Sequence, residues 1–294
     1  MRIAILGATG SVGSALIKKF QTTNHKITAS FRKDHPKTGN KNINWVEIDL
    51  NDKNKIDTFL SGTDTLIYLI HSLNNPTFET IDINLAKKVG ERAQKAKVKK
   101  IIYMGAINHK DEKLSKHLFV KKKTGETLAS FLPTLEIRAG VILDNKNISY
   151  RMIERLSRFP IILGPEFLNN FCSPIFINDA VDSIIALVDK TPKINHEIFE
   201  IGAEKMRYSD LIGMCGKISH HFKNIIILVP FFPNSILAVL NHLLTSTPIH
   251  VSTALIESLK NNTDTTANRF KELTGKNPTP TIESLKKIAR ENNK

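Results

Sequence analysis

The first thirteen residues constrain the fold of this chain more than any other part of its sequence. A short apolar strand, from Arg2 to Leu6, runs directly into the glycine-rich turn GATGSVG at positions 7–13, and apolar residues with helical spacing follow at once. The glycines of the turn have the spacing G-x-x-G-x-x-G. A strand before such a turn and a helix after it are the context in which this motif indicates a dinucleotide site.

The three glycines have different predicted roles. Gly7 permits a sharp turn with a positive φ, which a side chain disfavours. Gly10 lets the backbone approach a pyrophosphate, and Gly13 lets the helix pack closely on the strand. The start of a helix offers free N–H groups and a partial positive charge to phosphates. The predicted phosphate-binding residues are therefore Gly7, Thr9, Gly10, Ser11, Val12 and Gly13. The alternative is a purely structural glycine turn in another kind of α/β protein.

Strand-like and helical patterns alternate through the first half of the sequence. The predicted strands are 2–6, 26–31, 43–48, 65–70, 100–103 and 135–139, and the predicted helices are 12–20, 55–60, 78–96 and 116–131. In the third helix we expect Ile81, Leu85, Val89 and Ala93 to face the core. Short apolar strands that alternate with helices predict an α/β fold with a doubly wound parallel sheet of the Rossmann type and a smaller C-terminal lobe.

The alternation becomes irregular after Gly140. We expect helices over 149–159, 207–221 and 281–290, strands over 175–177 and 199–202, and a helix capped by Asn178 or Asp179 that runs to Val188. Residues 1–145 and about 173–203 are predicted to form the dinucleotide-binding core. Residues 146–172 and 204–294 are predicted to form the smaller lobe, against the carboxyl ends of the strands and within one continuous globular unit.

The length and cysteine content exclude several classes of protein. The chain has 294 residues, enough for one large domain or a domain with a smaller lobe. Its two cysteines, Cys172 and Cys215, form no C-x-x-C pair, so the sequence indicates neither a disulfide framework nor a zinc or other metal site. The apolar run from Ile3 to Leu6 is too short for a signal peptide, and we therefore expect a cytoplasmic protein.

The formal net charge of the chain is +14. The excess is concentrated in the basic stretch, residues 87–123, which holds thirteen Lys and Arg against three acids. One interpretation is a surface for polyanions or acidic lipid headgroups. The other is a set of solvated helix faces, because lysine is frequent throughout the chain. No zinc-finger, basic-zipper or RNA-binding motif accompanies the charge, so we expect no nucleic-acid partner.

The most apolar stretch is 225–244. It approaches the length of a membrane span, but its two prolines and its Asn and His residues argue against one. We expect a strand and a helix that cover the active cleft or pack a dimer. The alternative is a surface that meets a membrane peripherally, binds a protein partner or holds a hydrophobic substrate.

The end of the second predicted strand bears on the choice of cofactor. An acid there suits the ribose hydroxyls of NAD, whereas a base suits the 2′-phosphate of NADP. Arg32 and Lys33 follow this strand, and no acid appears before Asp34. We therefore predict NADP(H) rather than NAD(H), with Arg32 and Lys33 on the phosphate. The alternative for Arg32 is a solvent-facing loop residue. Asp49 is placed to accept a hydrogen bond from the adenine amino group or, alternatively, to cap the next helix.

Four segments together resemble the atypical and extended short-chain dehydrogenases: GATGSVG at 7–13, EIDL at 47–50, TLIYLIHS at 65–72 and IRAG at 137–140. More closely, the chain is similar to bacterial atypical members related to NmrA-like regulators and to the NADPH-binding accessory subunit of respiratory complex I. Further matching segments are 68–73, 101–106, 117–128, 173–181, 199–202 and 247–259, so the resemblance covers nearly the whole chain. It implies a nicotinamide dinucleotide cofactor, bound also by Asp49, Leu50, Ile70 and His71.

The catalytic residues of that superfamily are only partly kept. The resemblance implies reduction of a carbonyl by a Tyr-x-x-x-Lys pair and a serine. In this sequence the matching segment is HLFVK, so Lys121 is kept and His117 stands at the tyrosine position. The serine position falls in YMGA at 103–106, which holds no serine, and Ser115 is not at the matching position. The resemblance also assigns Lys121 to the nicotinamide ribose.

Two outcomes follow from these departures. In the first, His117 replaces tyrosine as general acid, because imidazole titrates near neutrality, and Lys121 lowers its pKa by charge repulsion. The chain is then an oxidoreductase or epimerase-type enzyme for a small or hydrophobic substrate. In the second, the chain binds NADPH with little chemistry and acts as a sensor or structural subunit through protein partners. His71 is expected near the nicotinamide, as a catalyst or as a packed residue.

Overall fold

The alternating segments fold into one large sheet in the computed structural model, which describes residues 1–32, 40–109, 112–230 and 233–292. The described strands are β1 (Arg2–Leu6), β2 (Lys26–Phe31), β3 (Ile43–Glu47), β4 (Thr65–Tyr68), β5 (Lys100–Ala106), β6 (Thr134–Ala139), β7 (Ile142–Leu143), β8 (Ile161–Pro165), β9 (Phe171–Cys172), β10 (Ile175–Phe176), β11 (His196–Ile201), β12 (Met206–Arg207) and β13 (Ile225–Val229). The described α-helices are α1 (Ser11–Phe20), α2 (Lys53–Leu60), α3 (Phe78–Lys95), α4 (Lys116–Ala129), α5 (Ile148–Leu156), α6 (Ile177–Val188), α7 (Tyr208–Cys215), α8 (Asn234–Thr245), α9 (Ile249–Ser258), α10 (Phe270–Thr274) and α11 (Thr281–Asn292).

Seven of these strands form the central sheet, in the order β3-β2-β1-β4-β5-β6-β11. Every adjacent pair in it is parallel. Residues of β4 are buried along its whole length, because helices cover both faces of the sheet. The strand order reverses between β1 and β4, and the glycine turn leaves β1 at this point. Open α/β sheets bind their ligands at such a reversal. The predicted fold class is confirmed.

Several predicted bounds are wrong by a few residues, and two of the differences have a clear cause. Helix α6 begins at Ile177, directly after β10, so neither Asn178 nor Asp179 is its N-cap. The Asp179 carboxylate instead accepts a hydrogen bond from the backbone N–H of Thr279 at 2.6 Å. The helix predicted over 207–221 is regular only as far as Cys215, and a π-helical turn follows.

The end of α7 reflects a close contact with the loop before β13. A Cβ on Gly216 would overlap the amide of Asn224. That amide nitrogen donates to the carbonyls of Ser157 and Phe159, at 2.8 and 2.6 Å. Asn224 therefore joins the turn after α7 to the segment between α5 and β8.

The stretch 225–244 forms a strand and then a helix, β13 and α8, as predicted. Strand β13 pairs in parallel with β8, and the outer side of the pair is the aliphatic face, made of Ile161, Leu163, Ile225 and Ile227. These four side chains are 46–60% exposed. No helix in the described parts of the chain is long and apolar enough to cross a membrane.

Cations of the basic stretch have individual partners within the fold. Arg92 pairs with Asp57 at 2.8 Å, and Lys99 pairs with Asp64 at 2.8 Å. The buried Lys100 donates to three carbonyls at the end of α6. This pairing favours the interpretation of the stretch as solvated and packed helix faces. Lys110 lies outside the described residues.

Strand β11 lies within the segment 173–203 that was assigned to the core, and it forms one edge of the sheet. Residues of α5, α7 and α9 line a cavity together with Ala106 and Ala139, which end β5 and β6. The division into a core and a smaller lobe stays a prediction.

Candidate functional site

The glycine turn has the backbone geometry that its first and last glycines were predicted to provide. Gly7 has a φ of +86°. A Cβ on Gly13 would overlap the carbonyl oxygen of Gly7 and lie 2.7 Å from the Cα of Ala8, so α1 packs directly on the turn. The N–H of Gly7 donates to the hydroxyl of Ser30 at 2.9 Å, which ties the turn to β2. The sequence analysis missed Ser30, because this contact joins residues far apart in the chain.

Gly10 differs from the other two glycines. Its φ is −71°, which any residue adopts, and a Cβ there would meet only the Gly7 carbonyl, at 3.4 Å. Gly10 is exposed, as is Thr9. Nothing in the described fold therefore requires glycine at this position, whereas a ligand that lies against the backbone does. The turn thus fits the phosphates of a dinucleotide.

The turn forms one wall of the cofactor cleft, a cavity of about 840 Å³ measured out to open solvent. The cleft is lined by residues 7 and 10–13 of the glycine turn, by the ends of β4, β5 and β6, and by the start of α5. Its ionisable lining side chains among the described residues are His71, His117 and Lys121. The structure therefore places the glycine turn and the three predicted catalytic or nicotinamide-facing residues in one cavity.

Lys121 is held by the ends of two elements. Its ammonium donates to the carbonyl of Met104 at 3.2 Å and lies 5.9 Å from the ring centre of Tyr103. Burial lowers the pKa of Lys121, while the carboxylates of Asp82 and Glu136 oppose that shift. These contacts direct the side chain from α4 across to the end of β5. Neither Lys122 nor Lys123 is among the described cleft residues.

Asp82 is a second residue that the sequence analysis missed. It lies on the buried side of α3, and its Oδ1 accepts a hydrogen bond from the N–H of Ser72 at 2.8 Å. Burial raises its pKa, and the Ser72 hydrogen bond and the charge of Lys121 oppose this. The prediction that Ile81 and Leu85 face the core is wrong, because both are half-buried and the buried face is turned by one residue to include Asp82.

Glu136 provides a further buried charge behind the cleft. Its carboxylate accepts a hydrogen bond from Arg138 Nε at 2.8 Å and bonds to His196 Nε2 at 2.6 Å. A Cβ on Gly105 or on Gly125 would collide with this carboxylate, so both glycines make room for it. The negative charge of Glu136 favours the protonated form of Lys121 and so raises the pKa of that lysine.

His117 is half-buried, and its ring centre lies 6.5 Å from that of Phe78. Burial, and then the charges of Lys121 and His71, lower the pKa of His117 to about 3. The imidazole is therefore neutral at pH 7. It can donate or accept a hydrogen bond, but it holds almost no extra proton to transfer.

His71 lies in the same cleft and follows β4. The surrounding protein and the charge of Lys121 lower its pKa as well. Its ring is nevertheless exposed to the open cleft, where water stabilises the charged form and opposes this shift.

A pH titration tests the state of His117. Because its folded pKa lies below its ordinary value of 6.5, its contribution to stability is complete above pH 6.5 and is lost as the pH falls towards 3. We expect wild-type protein to lose about 2 kcal/mol more of its unfolding free energy between pH 7 and pH 4 than His117→Gln, a figure reduced for the water that reaches the ring. Urea unfolding at each pH measures this, and equal losses in the two proteins would contradict it.

The tyrosine and serine hydroxyls of the superfamily have no replacement at their own positions. Tyr103 is buried, and its hydroxyl donates to the carbonyl of Lys121 at 2.9 Å. Ser115 is the N-cap of α4, and its hydroxyl bonds to that of Ser258 at 3.2 Å. Ser149, at the start of α5, does line the cleft. It is a third residue that the sequence analysis missed, because α5 lies in the irregular second half.

The remaining predicted cofactor residues lie around the carboxyl ends of the strands. Arg32 follows β2 and is exposed, and Lys33 is outside the described residues. Asp49 does not cap α2, because Asp52 is the N-cap. The Asp49 carboxylate instead accepts from the N–H of Asn51 at 2.9 Å.

Leu50 and Ile70 pack at the edge of the core cluster on one side of the sheet. They are not among the cleft residues at the turn. The described residues contain no cluster of His, Cys, Asp or Glu that could hold a metal ion.

Comparison with protein-family models gives a match to a family described as NAD(P)H-binding, over residues 7–157. The matched region is about half of the chain, and it begins at Gly7 and includes both His117 and Lys121. No curated protein matches the sequence significantly.

Solved structures match over nearly the whole chain. A nucleoside-diphosphate-sugar epimerase from Staphylococcus aureus has a TM-score of 0.80 and 15% identity, over 97% of this chain and 100% of that one. A UDP-glucose 4-epimerase with UDP-glucose from Thermotoga maritima has a TM-score of 0.72 and 16% identity, over 100% of both chains. A dTDP-glucose 4,6-dehydratase from Streptomyces venezuelae, solved with NAD bound, has a TM-score of 0.74 and 11% identity, over 100% of this chain and 97% of that one. At these identities the likeness is one of fold.

Proposed function

Since this chain belongs to the NAD(P)H-binding family, we propose that it is a cytoplasmic NADP(H)-dependent oxidoreductase of the atypical short-chain dehydrogenase type, acting on a small or hydrophobic substrate. One observation carries the proposal. The glycine turn, Lys121, His117 and His71 line a single cleft at the carboxyl edge of the sheet. Open α/β sheets bind ligands at this edge.

The residues of the cleft have separate roles in this proposal. A bound reduced nicotinamide supplies a hydride to an electrophilic carbon. The amides of the turn hold the diphosphate, and Lys121 hydrogen-bonds the nicotinamide ribose. Neutral His117 donates an N–H hydrogen bond to the substrate oxygen and polarises it, as neutral imidazoles do in other enzymes. The alkoxide left by hydride addition takes its proton from water, since the cleft is open to solvent. The low pKa of His117 favours this role over that of a proton donor.

The proposal is tested by titration with NADPH, followed by its fluorescence, and by NADPH oxidation with carbonyl substrates. We expect saturable binding of NADPH and turnover that falls in His117→Gln. Absence of binding by every nicotinamide dinucleotide, oxidised or reduced, would contradict it.

Arg32 is proposed to bind the 2′-phosphate that distinguishes NADP from NAD. Arg32→Ala is expected to weaken NADPH binding by about 1.5–3 kcal/mol, the range for a hydrogen bond to a charged group. NADH binding should barely change, because NADH lacks this phosphate. Calorimetric titration of both cofactors measures the difference.

Lys26→Ala is the control for Arg32→Ala, because Lys26 is exposed at the opposite end of the same strand. Equal losses of NADPH and NADH affinity in Arg32→Ala would refute the proposed preference.

A second candidate function is an NADPH-binding sensor or structural subunit that does little chemistry. The observation that favours it is the absence of the Tyr and Ser hydroxyls from their positions, together with a neutral His117. In this case the exposed aliphatic face is the place for a protein partner or a membrane surface. The candidate predicts tight NADPH binding with no turnover, and no effect of His117→Gln on any activity. Turnover that depends on His117 would exclude it.

A further inference from the structure

Two further cavities lie next to the cofactor cleft, among residues of the second half of the chain. The connecting cavity, of about 510 Å³, shares Ala106, His117, Ala139, Gly140, Ser149 and Leu255 with the cleft. The apolar chamber, of about 680 Å³, shares Met152, Ile153, Tyr208 and Leu259 with the connecting cavity. Both volumes are measured out to open solvent. The three cavities therefore adjoin one another through shared wall residues, in a row that starts at the glycine turn and passes His117.

The polarity of the walls falls along this series. His117 and Ser149 lie at the junction of the cleft and the connecting cavity. In the apolar chamber, Tyr208 is the only described lining residue with a polar side chain, and its hydroxyl is already bonded to Thr263 at 2.7 Å. The other described lining residues are aliphatic, Gly, Pro, Met or Phe. A ligand that fills the series thus meets hydrogen-bonding groups at one end and hydrocarbon at the other.

The charges of the walls argue against a sugar nucleotide in this part of the protein. No Lys or Arg is among the described residues that line the connecting cavity or the apolar chamber. Lys260 lies outside, exposed, with its ammonium 5.8 Å from the ring centre of Phe167. A diphosphate placed in the chamber would lose its hydration without gaining a cation, which is costly.

The chamber reaches the surface through aliphatic side chains. Leu163 and Leu240 both line it, and they are 56% and 42% exposed. The chamber is built by α5, β8, α7, α8 and α9, and so by the part of the chain outside the sheet.

We propose that the connecting cavity and the apolar chamber bind the substrate, and that this substrate is an elongated, uncharged, largely hydrocarbon molecule. Its one polar group, a carbonyl or hydroxyl, lies between His117 and Ser149, and its hydrocarbon body fills the chamber. This inference rests on the proposed function, because it takes the cofactor cleft as the reactive end. The observation that carries it is the row of three adjoining cavities, with shared walls, combined with the loss of polar groups along that row.

The test uses the full chain and a neutral fluorescent probe, N-phenyl-1-naphthylamine, displaced by a long-chain methyl ketone or by UDP-glucose. We expect saturable probe binding that the ketone displaces and UDP-glucose does not. Met152→Trp, between the two cavities, and Leu240→Arg, at the mouth, are each expected to weaken probe binding by about tenfold or more, since both put bulk or charge where hydrocarbon should lie.

Leu243→Arg is the matched control. Leu243 is on the same helix, is 72% exposed and is not among the described chamber residues. NADPH titrations on the same samples report on the proposed function and on correct folding, and they should be alike in all four proteins. Intact NADPH binding with no probe binding, with displacement by UDP-glucose alone, or with equal effects of Leu240→Arg and Leu243→Arg would overturn the inference and leave the proposed function standing.

Discussion

Replacing Gly13 by valine is expected to abolish NADPH binding and to lower the free energy of unfolding by about 3 kcal/mol, the upper part of the range for forced overpacking. Even a Cβ at this position overlaps the Gly7 carbonyl oxygen, and it would lie only 2.7 Å from the Cα of Ala8. Both obstacles are backbone atoms, so α1 must move away from the turn. The amides that should hold the diphosphate move with it. Urea unfolding and NADPH titration measure the two effects.

Gly10→Ala is the control that separates folding from binding. Its Cβ would meet only the Gly7 carbonyl, at 3.4 Å, and its φ suits any residue. We expect this variant to lose only about 1 kcal/mol of unfolding free energy, the usual cost of alanine at a helix N-cap, while it loses NADPH affinity because the methyl group projects towards the diphosphate. Wild-type affinity in both variants would show that the turn does not bind the cofactor.

Replacing Lys121 by methionine is expected to weaken NADPH binding by about 1.5–3 kcal/mol, the range for a hydrogen bond to a charged group, and to remove turnover. The same change removes the positive charge of Lys121, which acts on both His117 and Asp82. Because Lys121 lowers the pKa of both groups, both pKa values should rise. NMR titration of the His117 ring measures the first of these shifts.

Lys122→Met is the matched control for Lys121→Met, since Lys122 is the next residue of α4 and is not among the described cleft residues. It should leave NADPH affinity and the His117 titration unchanged. A Lys121→Met protein with an unshifted His117 titration would contradict the arrangement of the cleft, and one with wild-type NADPH affinity would contradict the role of Lys121 at the ribose.

Much of the first half could be predicted from the sequence because the relevant physics is local. Apolar runs of strand length, separated by helical patterns, specify the sheet, and the glycine spacing specifies the turn after β1. The resemblance to atypical short-chain dehydrogenases is confirmed by the NAD(P)H-binding family match and the fold of the solved structures. The closer relation to NmrA-like regulators, the preference for NADP and the cytoplasmic location stay predictions.

The parts that could not be predicted depend on contacts between distant residues. Asp82 looks like an interruption of an amphipathic helix until α4 brings Lys121 near it. The sequence does not show that Ser149 lines the cleft, because α5 lies in the irregular second half. The apolar chamber likewise forms only where α5, α7, α8 and α9 meet in the folded chain. The depth of burial that makes His117 neutral is likewise a property of the folded cleft and not of its sequence position.

The hydrogen bond from the Gly7 N–H to Ser30 has a consequence for how this scaffold can change during evolution. It joins the glycine turn to β2, which ends just before Arg32. A bound dinucleotide would therefore contact two segments whose relative position is already fixed. A mutation at position 32 can then change the preference between NADP and NAD while the conformation of the glycine turn stays the same. Selection for the other nicotinamide cofactor would act on the segment after β2, while the hydrogen bond to Ser30 keeps the glycine turn in place.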